Sequence, residues 1–559
     1  MSNKLFHSVL RYVCIACLAC PAAAHEPDHL LFDAYLQAPF HARADGSRTI
    51  TLHFATMPGH GDGAVVAWQL DLLAPDGRVL RHWQGKHKLA RNGAWSTVSV
   101  SWQTARRGNA VTAGRARSPA ADDPPGIYSL RLRANVVGAP HLAAIEQRWQ
   151  VAAGTRPAML APPAMASATR PEDWSGWPYA IYLGNLHSQT NHSDGGAALD
   201  HCAGAQAPGA APYGPADAYQ YAWRHGLDFL MTSEHNHMFD GAAGAQRAGA
   251  DATADADTDS GGAARALYQR GLAQAAAWND RGTGMLALYG QEWGVIANGG
   301  HINIFNAGAL LGWERNGDGE LLADHATPKS DYAALYTLLH TQGWYGQFNH
   351  PRHDQFAIGG KPLAWTADGD ASMLLCEVMN SHAYSTRDDE TEPRHGNYEA
   401  ACNRLLEAGY HVAFSSNQDN HCANWGASYG NRTGVLLARG DALTADTLLA
   451  ALKARRVFAT MDKRGAIVLS AAGHMMGERF VHRGALALEV RHASSNGRSV
   501  AAVQLFHGMP GRRGTVRAIS DSARTVVTPP VGEHFYYARI TQDDGTLLWS
   551  APLWVSQRK

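Results

Sequence analysis

Between about residues 179 and 464, short apolar runs alternate with helix-like segments, and many of the runs finish at or beside a His, Asp or Glu. The strand-like runs end at Ser188, Ser233, Glu292, Phe305, Asn349, Asn380 and Ser416. The helix-like segments cover 215–225, 262–278, 331–342, 395–408 and 444–455. Alternation on this scale predicts an α/β barrel-like domain. In a barrel of parallel strands the C-terminal ends converge on one face, so residues roughly 200 positions apart share a pocket.

The flanks read differently. Residues 25–152 alternate apolar and polar side chains in short runs such as Arg48-Thr49-Ile50-Thr51-Leu52-His53-Phe54, separated by turn signals such as Pro75-Asp76-Gly77. That is the pattern of a β-sandwich, and it carries no chemical motif. Residues 153–176 are rich in Ala and Pro and read as a linker. Residues 465–559 return to short strand-like runs, with Asp543-Asp544-Gly545 as a hairpin turn, and read as a smaller β-domain packed on the barrel. Within the central region, 240–264 is mostly Ala, Gly, Asp and Thr and reads as a mobile loop.

A chain of 559 residues is too long for one core, and 29 histidines raise the expectation of a metal site without locating it. Lys4 and Arg11, the apolar stretch Tyr12–Leu18 and Ala22-Ala23-Ala24 read as a signal peptide over 1–24, so the expected location is periplasmic or secreted. Leu18-Ala19-Cys20 also allows a lipoprotein reading as a partial lipobox. No later run is long enough to span a membrane. Loss of the leader removes two of the 48 basic residues and none of the 49 acidic ones, giving a net charge of −3. Nothing there supplies the basic footprint of a nucleic-acid binder. Cys202, Cys376, Cys402 and Cys422 remain, which permits two disulfides in any of three pairings, or four buried thiols.

The chemistry gathers at the strand ends of the central region. His187, Asp194, Glu234-His235-Asn236-His237, Glu292, His301, His350, Glu377, Asp419 and His421 all lie at or just beyond them. Any one alone reads as an ordinary surface or hydrogen-bonded residue. Together they form a mixed N/O donor set suited to divalent metals, with enough carboxylates to bridge two ions. His192, His237, His353, His382 and His395 are less well placed and are left outside the set.

Gly184-Asn185-Leu186-His187-Ser188-Gln189-Thr190-Asn191-His192-Ser193-Asp194-Gly195 resembles the opening H-x-H-T…S-D-G motif of the PHP (polymerase and histidinol phosphatase) metallohydrolases. Thr232-Ser233-Glu234-His235-Asn236, Asn349-His350-Pro351 and Gln418-Asp419-Asn420-His421 resemble the later motifs, and the resemblance covers roughly 180–460. It is nearest to an exported branch that includes carbaryl-hydrolase-like proteins. The resemblance implies an α/β fold, a distorted (β/α)7 barrel flanked here by β-sandwich-like domains. It also implies two or three divalent ions (zinc, manganese or iron). The first would be held by His187, Glu292 and Asp419, the second by Glu292, His301 and His350, and the third by Asp194, His235 and His421. Glu292 would bridge. The family's second His of H-x-H is Gln189 here, a weaker ligand that puts the first site in question.

The activity this implies is metal-dependent hydrolysis of a small-molecule ester, a phosphoester first, by a metal-bridged hydroxide. Glu292 and Asp419 would serve catalysis, and Arg352 would steady substrate charge. Asn424 and Trp425 would line the pocket. A carboxyl ester or carbamate is the alternative substrate, and a non-catalytic binder of a surface polymer is the alternative from another class. If Asp194 and His421 share the third metal, Cys202 and Cys422 fall on the same face of the barrel. They would then pair, leaving Cys376 with Cys402; a free Cys202 is the other reading.

Overall fold

Along Phe32–Gln37 every second side chain is buried, and this period of two recurs through the first seven strands. They are β1 (Phe32–Gln37), β2 (Ser47–Thr56), β3 (Val65–Leu73), β4 (Val79–Lys88), β5 (Ser96–Gln103), β6 (Gly126–Val136) and β7 (Ile145–Ala153). One sheet has the order β1-β2-β5 and the other β4-β3-β6-β7. Phe32, Ile50, Leu52 and Phe54 from the first meet Leu70, Tyr128, Leu132 and Val151 from the second in one core. The opposite face of β1 presents Asp33 and Tyr35, and Tyr35 stacks on His53 across β2 at 4.1 Å.

The computed structural model describes residues 31–559 apart from 44–45, 57–60, 62, 92, 104–125, 154–176, 240–259, 296–298 and 317. The expected leader, the linker beyond residue 153 and residues 240–259 of the expected loop lie outside the described residues. Residues 260–264 of that loop instead begin a helix.

In the central region β8 (Tyr179–Asn185), β9 (Phe229–His235) and β10 (Leu286–Val295) run parallel, with α1 (Pro215–Arg224) and α2 (Ser260–Asn279) between them. β9 is buried along its whole length, as expected of a strand covered on both faces. β11 (Gly300–Phe305) turns back antiparallel to β10, and the next strand, Tyr345–Phe348, is antiparallel to β11. A helix, α3 (Tyr332–Gln342), precedes that strand. It starts where the Asp331 carboxylate accepts the Ala334 N–H at 3.0 Å, and it stops at Gly343 in the left-handed conformation. Met373–Ser381 and Ala413–Asn417 continue in parallel. The chain then returns to β8: Ser188 bridges Asn420 in parallel, and the Gln189 N–H donates to the Asn420 carbonyl at 2.8 Å. Strand outweighs helix, and the sheet is mixed where the sequence pattern predicts parallel strands. The segment expected as helix from residue 395 begins as a short strand, His395–Asn397, and becomes helical at Glu399.

The C-terminal region is joined to the centre by hydrogen bonds as well as by packing. Arg432–Ala438 pairs with β8 and with Val457–Thr460, which pairs with Leu547–Ser550 and so with Gly532–Gln542 and Val500–Gly508. Leu183, Phe229 and Val435 therefore share one core with Leu469, Val490 and Ile540. A clasp reinforces the seam: the backbone N–H groups of Gly514, Thr515 and Val516 donate to the buried Glu407 carboxylate. The sandwich docks on both regions. Thr541 donates to Gln150 at 2.6 Å, and the Arg394 guanidinium sits 5.5 Å over Trp95.

Two disulfides link Cys202 with Cys422 and Cys376 with Cys402, as the resemblance implies. Such bonds suit an oxidising compartment. Among the described residues, no helix is long and apolar enough to cross a membrane.

Because the sheet crosses residue 464 without a break, a chain ending there is expected to be insoluble or to lack a cooperative thermal transition. A soluble truncation with cooperative unfolding by calorimetry would show that the C-terminal strands are dispensable.

Candidate metal centre

Glu292 lies near the end of β10, buried, and imidazoles approach it from four strands and loops. His301 Nδ1 is 2.9 Å from its carboxylate, His187 Nε2 3.0 Å, His350 Nε2 3.4 Å and His235 Nε2 3.8 Å. His301 reaches this end because β11 is antiparallel: its first residues lie where β10 finishes. Among the described residues, three buried groups have donor atoms within 4.8 Å of one another: His187, His350 and Asp419; Asp194, His235 and His421; His235, Glu292 and His301. The second is the expected third-site set. The other two differ from expectation in that His350 falls with His187 and Asp419, and His235 with Glu292 and His301.

Two of the imidazoles, His187 and His421, are held so that one nitrogen faces the cluster. His187 Nδ1 lies 3.1 Å from Glu377, leaving Nε2 3.1 Å from Asp419 and close to Glu292. His421 Nδ1 bonds the Asp419 carbonyl at 2.8 Å, leaving Nε2 3.5 Å from Asp194. Fixing one ring nitrogen so that the other can ligate is a recurring device of metal sites. Two cluster residues have strained backbones, with φ of 28° at His350 and 54° at Asp419.

Electrostatics point the same way. Burial alone would push the His187 imidazole down, but Asp419, Glu292 and Glu377 outweigh it and hold it well above its ordinary range. Burial would raise Glu292 and Asp419, but His187 and its neighbours hold both well below the usual carboxylate range. The ion pairs of Glu292 and Asp419 are with histidines. Carboxylates this deeply buried need positive charge, which protonated imidazoles or divalent cations can provide. The donor types, the burial and the directed nitrogens fit divalent ions.

Gln189 is beside the cluster, but its amide N–H donates to Glu292 at 2.7 Å and its carbonyl accepts from Ser193. It thus orients the central carboxylate. Gly195 has to be glycine here, since a Cβ would come within 2.6 Å of the Gln189 backbone. Arg352 borders the cleft, but its guanidinium is bound by Asp354 at 2.7 Å. Asn424 and Trp425, expected to line the pocket, are buried structural donors instead: Trp425 to the Gln189 carbonyl, Asn424 to those of Ser385 and Arg387. Of the histidines set aside, His192 bonds Tyr289, while His353, His382 and His395 line the cleft without joining the cluster.

Several residues that the sequence reading named without giving them a role support the cluster. Glu377 accepts from the His350 N–H and the Asn417 amide besides facing His187, yet it sits inside the apolar strand Met373–Ser381. Asn349 donates to Glu292 at 2.8 Å. Glu234 accepts from the Thr190 and Ser193 hydroxyls, and burial pushes its carboxyl up to about 7.

A cleft of about 1350 Å³ opens over the cluster. His350 and Asp419 lie in its floor, and Tyr384 and Tyr398 stand near them, 5.0 Å from His421 and 6.4 Å from His350 between ring centres. The outer wall comes from the N-terminal sandwich, including Tyr35 and Trp95.

No family model matches this sequence, and no curated protein does. Among solved structures, a CARDB domain from Pyrococcus furiosus is 11% identical over 22% of this chain and 85% of that one, with a TM-score of 0.14. A β-glucosidase from Listeria innocua is 13% identical over 22% of this chain and 16% of its own, with a TM-score of 0.14. A β-glucuronidase from Parabacteroides merdae is 10% identical over 95% and 65%, with a TM-score of 0.15. Likenesses at this level establish neither a shared fold nor a shared activity.

Protein purified without chelator is expected to carry at least one divalent ion per chain by elemental analysis, and to lose it on acidification as protons compete for the imidazoles. Gln189→His is expected to tighten retention of one ion in a dialysis series. Unchanged retention would show that the amide does not limit that site.

Proposed function

We propose that this chain is an exported, metal-dependent hydrolase of the PHP kind, acting on phosphoesters. The observation that carries the reading is Glu292: a buried carboxylate approached by four histidines, with Asp194 and Asp419 on either side of the group. A binding protein has no need to collect bridging carboxylates at such electrostatic cost. The fold reading is a distorted (β/α)7 barrel. Its ring would be β8, β9, β10, β11 and the strands Tyr345–Phe348, Met373–Ser381 and Ala413–Asn417, and the Ser188–Asn420 bridge would close it. Export is supported by the two disulfides and the signal-like N-terminus.

In this reading His187, His350 and Asp419 hold one ion, and Asp194, His235 and His421 another. Glu292 lies between them, with His301 beside it. Two or three divalent ions there would supply the charge that makes water nucleophilic near neutral pH and steadies developing negative charge. Glu377 fixes the His187 ring, and the amides of Gln189 and Asn349 fix Glu292, so little has to reorganise during reaction. Tyr384 and Tyr398 narrow the approach and exclude bulk water. Arg352, already positioned by Asp354, offers its remaining N–H donors to an anionic substrate.

Hydrolysis of an aryl phosphate by the purified protein is expected to fall at least about tenfold with chelator and to return with added zinc, manganese or iron. Activity indifferent to chelator would refute the metal role. Turnover of aryl esters or carbamates alone would move the substrate class. A metal-loaded protein inert on all three would favour a binding role.

A further inference from the structure

The cleft is larger than a single small ester requires. Pockets for drug-sized ligands run to roughly 300–1000 Å³, and this one holds about 1350 Å³. Its additional space lies toward the N-terminal sandwich, where the outward faces of the strands supply Tyr35, Lys86, Trp95, Arg133 and Arg148. We propose that this wall is a second part of the substrate site. It would hold an anionic, ring-bearing portion of the substrate away from the bond that is cleaved. The proposal rests on the hydrolase reading for the reacting end only.

Charge is the first argument. The chain as a whole is close to neutral, at −1, yet the cleft gathers Lys86, Arg133, Arg148, Arg352, Arg394 and Arg404 against Asp33, Glu146 and Asp419, with Asp354 and Glu392 paired to Arg352 and Arg394. Asp419 belongs to the metal cluster. Arg133 and Arg148 divide a single partner, Glu146. Burial pushes the Asp33 carboxyl up, toward the neutral form, though the nearby Arg394 opposes this. Lys86 and Arg404 are exposed and form no ion pair among the described residues. Low-dielectric walls of one dominant sign concentrate oppositely charged ligands.

Ring stacking is the second argument. Trp95 and Tyr35 are half-buried and meet edge to face at 5.1 Å. Arg394 lies over the Trp95 ring, and Glu392 holds it at 2.7 Å, so a central-domain loop carries the cation to the sandwich's aromatic pair. His53 covers one face of Tyr35 and Arg394 one face of Trp95, and the ring surface left to the cleft would take a flat anion by stacking and charge together. The substrate class is therefore a phosphoester whose other part carries a ring and at least one further negative charge.

The test uses the full chain and a probe with no bond to hydrolyse, naphthalene trisulfonate, titrated by calorimetry against uncharged naphthol. The wild type is expected to bind the trisulfonate at least about tenfold more tightly than naphthol, with affinity falling as salt rises. Lys86→Gln with Arg404→Gln is expected to cost about tenfold, and Lys86→Arg to retain affinity. Trisulfonate bound no better than naphthol, or equally by the double variant, would overturn the proposal. The aryl phosphate assay is read separately. Probe binding that depends on Lys86 and Arg404 in a protein without hydrolase activity would sustain this wall as an anion site and remove only the hydrolase reading.

Discussion

Burying carboxylates is expensive, and this molecule buries Asp194, Glu234, Glu292, Glu377 and Asp419 within one face of one domain. The folded chain must compensate that charge, and much of its architecture serves to do so. Histidines are brought to Glu292 from the segment just after β8, from β9 and β11, and from the turn after Phe348. Serine, threonine and asparagine side chains take up the remaining lone pairs of Glu234 and Glu377. The result is a charged interior in which His187, His421, Glu234, Glu292 and Glu377 are each oriented by a neighbouring group.

The sandwich and the C-terminal strands play different parts around that centre. The C-terminal strands extend the central sheet and complete its core, so they belong to the stability of the cluster. The sandwich touches the rim and leaves a gap, so it belongs to what the cluster can reach. Its contacts with the other regions include the hydrogen bond from Thr541 to Gln150, a bond between His41 and the Asp543 carbonyl, Trp149 against His395, and Arg394 over Trp95.

The legibility of each residue in the sequence depends on where it sits. Asp194, His235 and His421 were legible as candidates because they lie beyond apolar runs, and as one set only through the resemblance to the PHP motifs. The alternation of β1–β7 was equally legible, since a period of two is the mark of a strand with one face buried. Glu377 was not assigned a role: within Met373–Ser381 it looks like one polar residue in a buried strand, and only its three-dimensional neighbours give it one. The antiparallel turn of β11 was also hidden, because local pattern carries no strand direction. The cleft wall escaped for a related reason. Tyr35, Lys86 and Arg133 occupy the polar face of their strands, and nothing local separates a face turned to solvent from one turned to another domain. Gln189 was noticed as a departure, but the bond that accounts for it is made to a residue 103 positions away.

The Cys202–Cys422 bond spans 220 residues, while Cys376–Cys402 spans 26. These separations impose a chronology on maturation. A chain made and moved from its N-terminus offers His187, Asp194 and His235 well before His350, Asp419 and His421 exist beside them. The short disulfide can close almost as soon as its helix forms, whereas Cys202 must wait for nearly the whole central region to arrive. Until then the early histidines stand without the partners that complete the cluster. The cluster is therefore completed late, wherever the last strand takes its place.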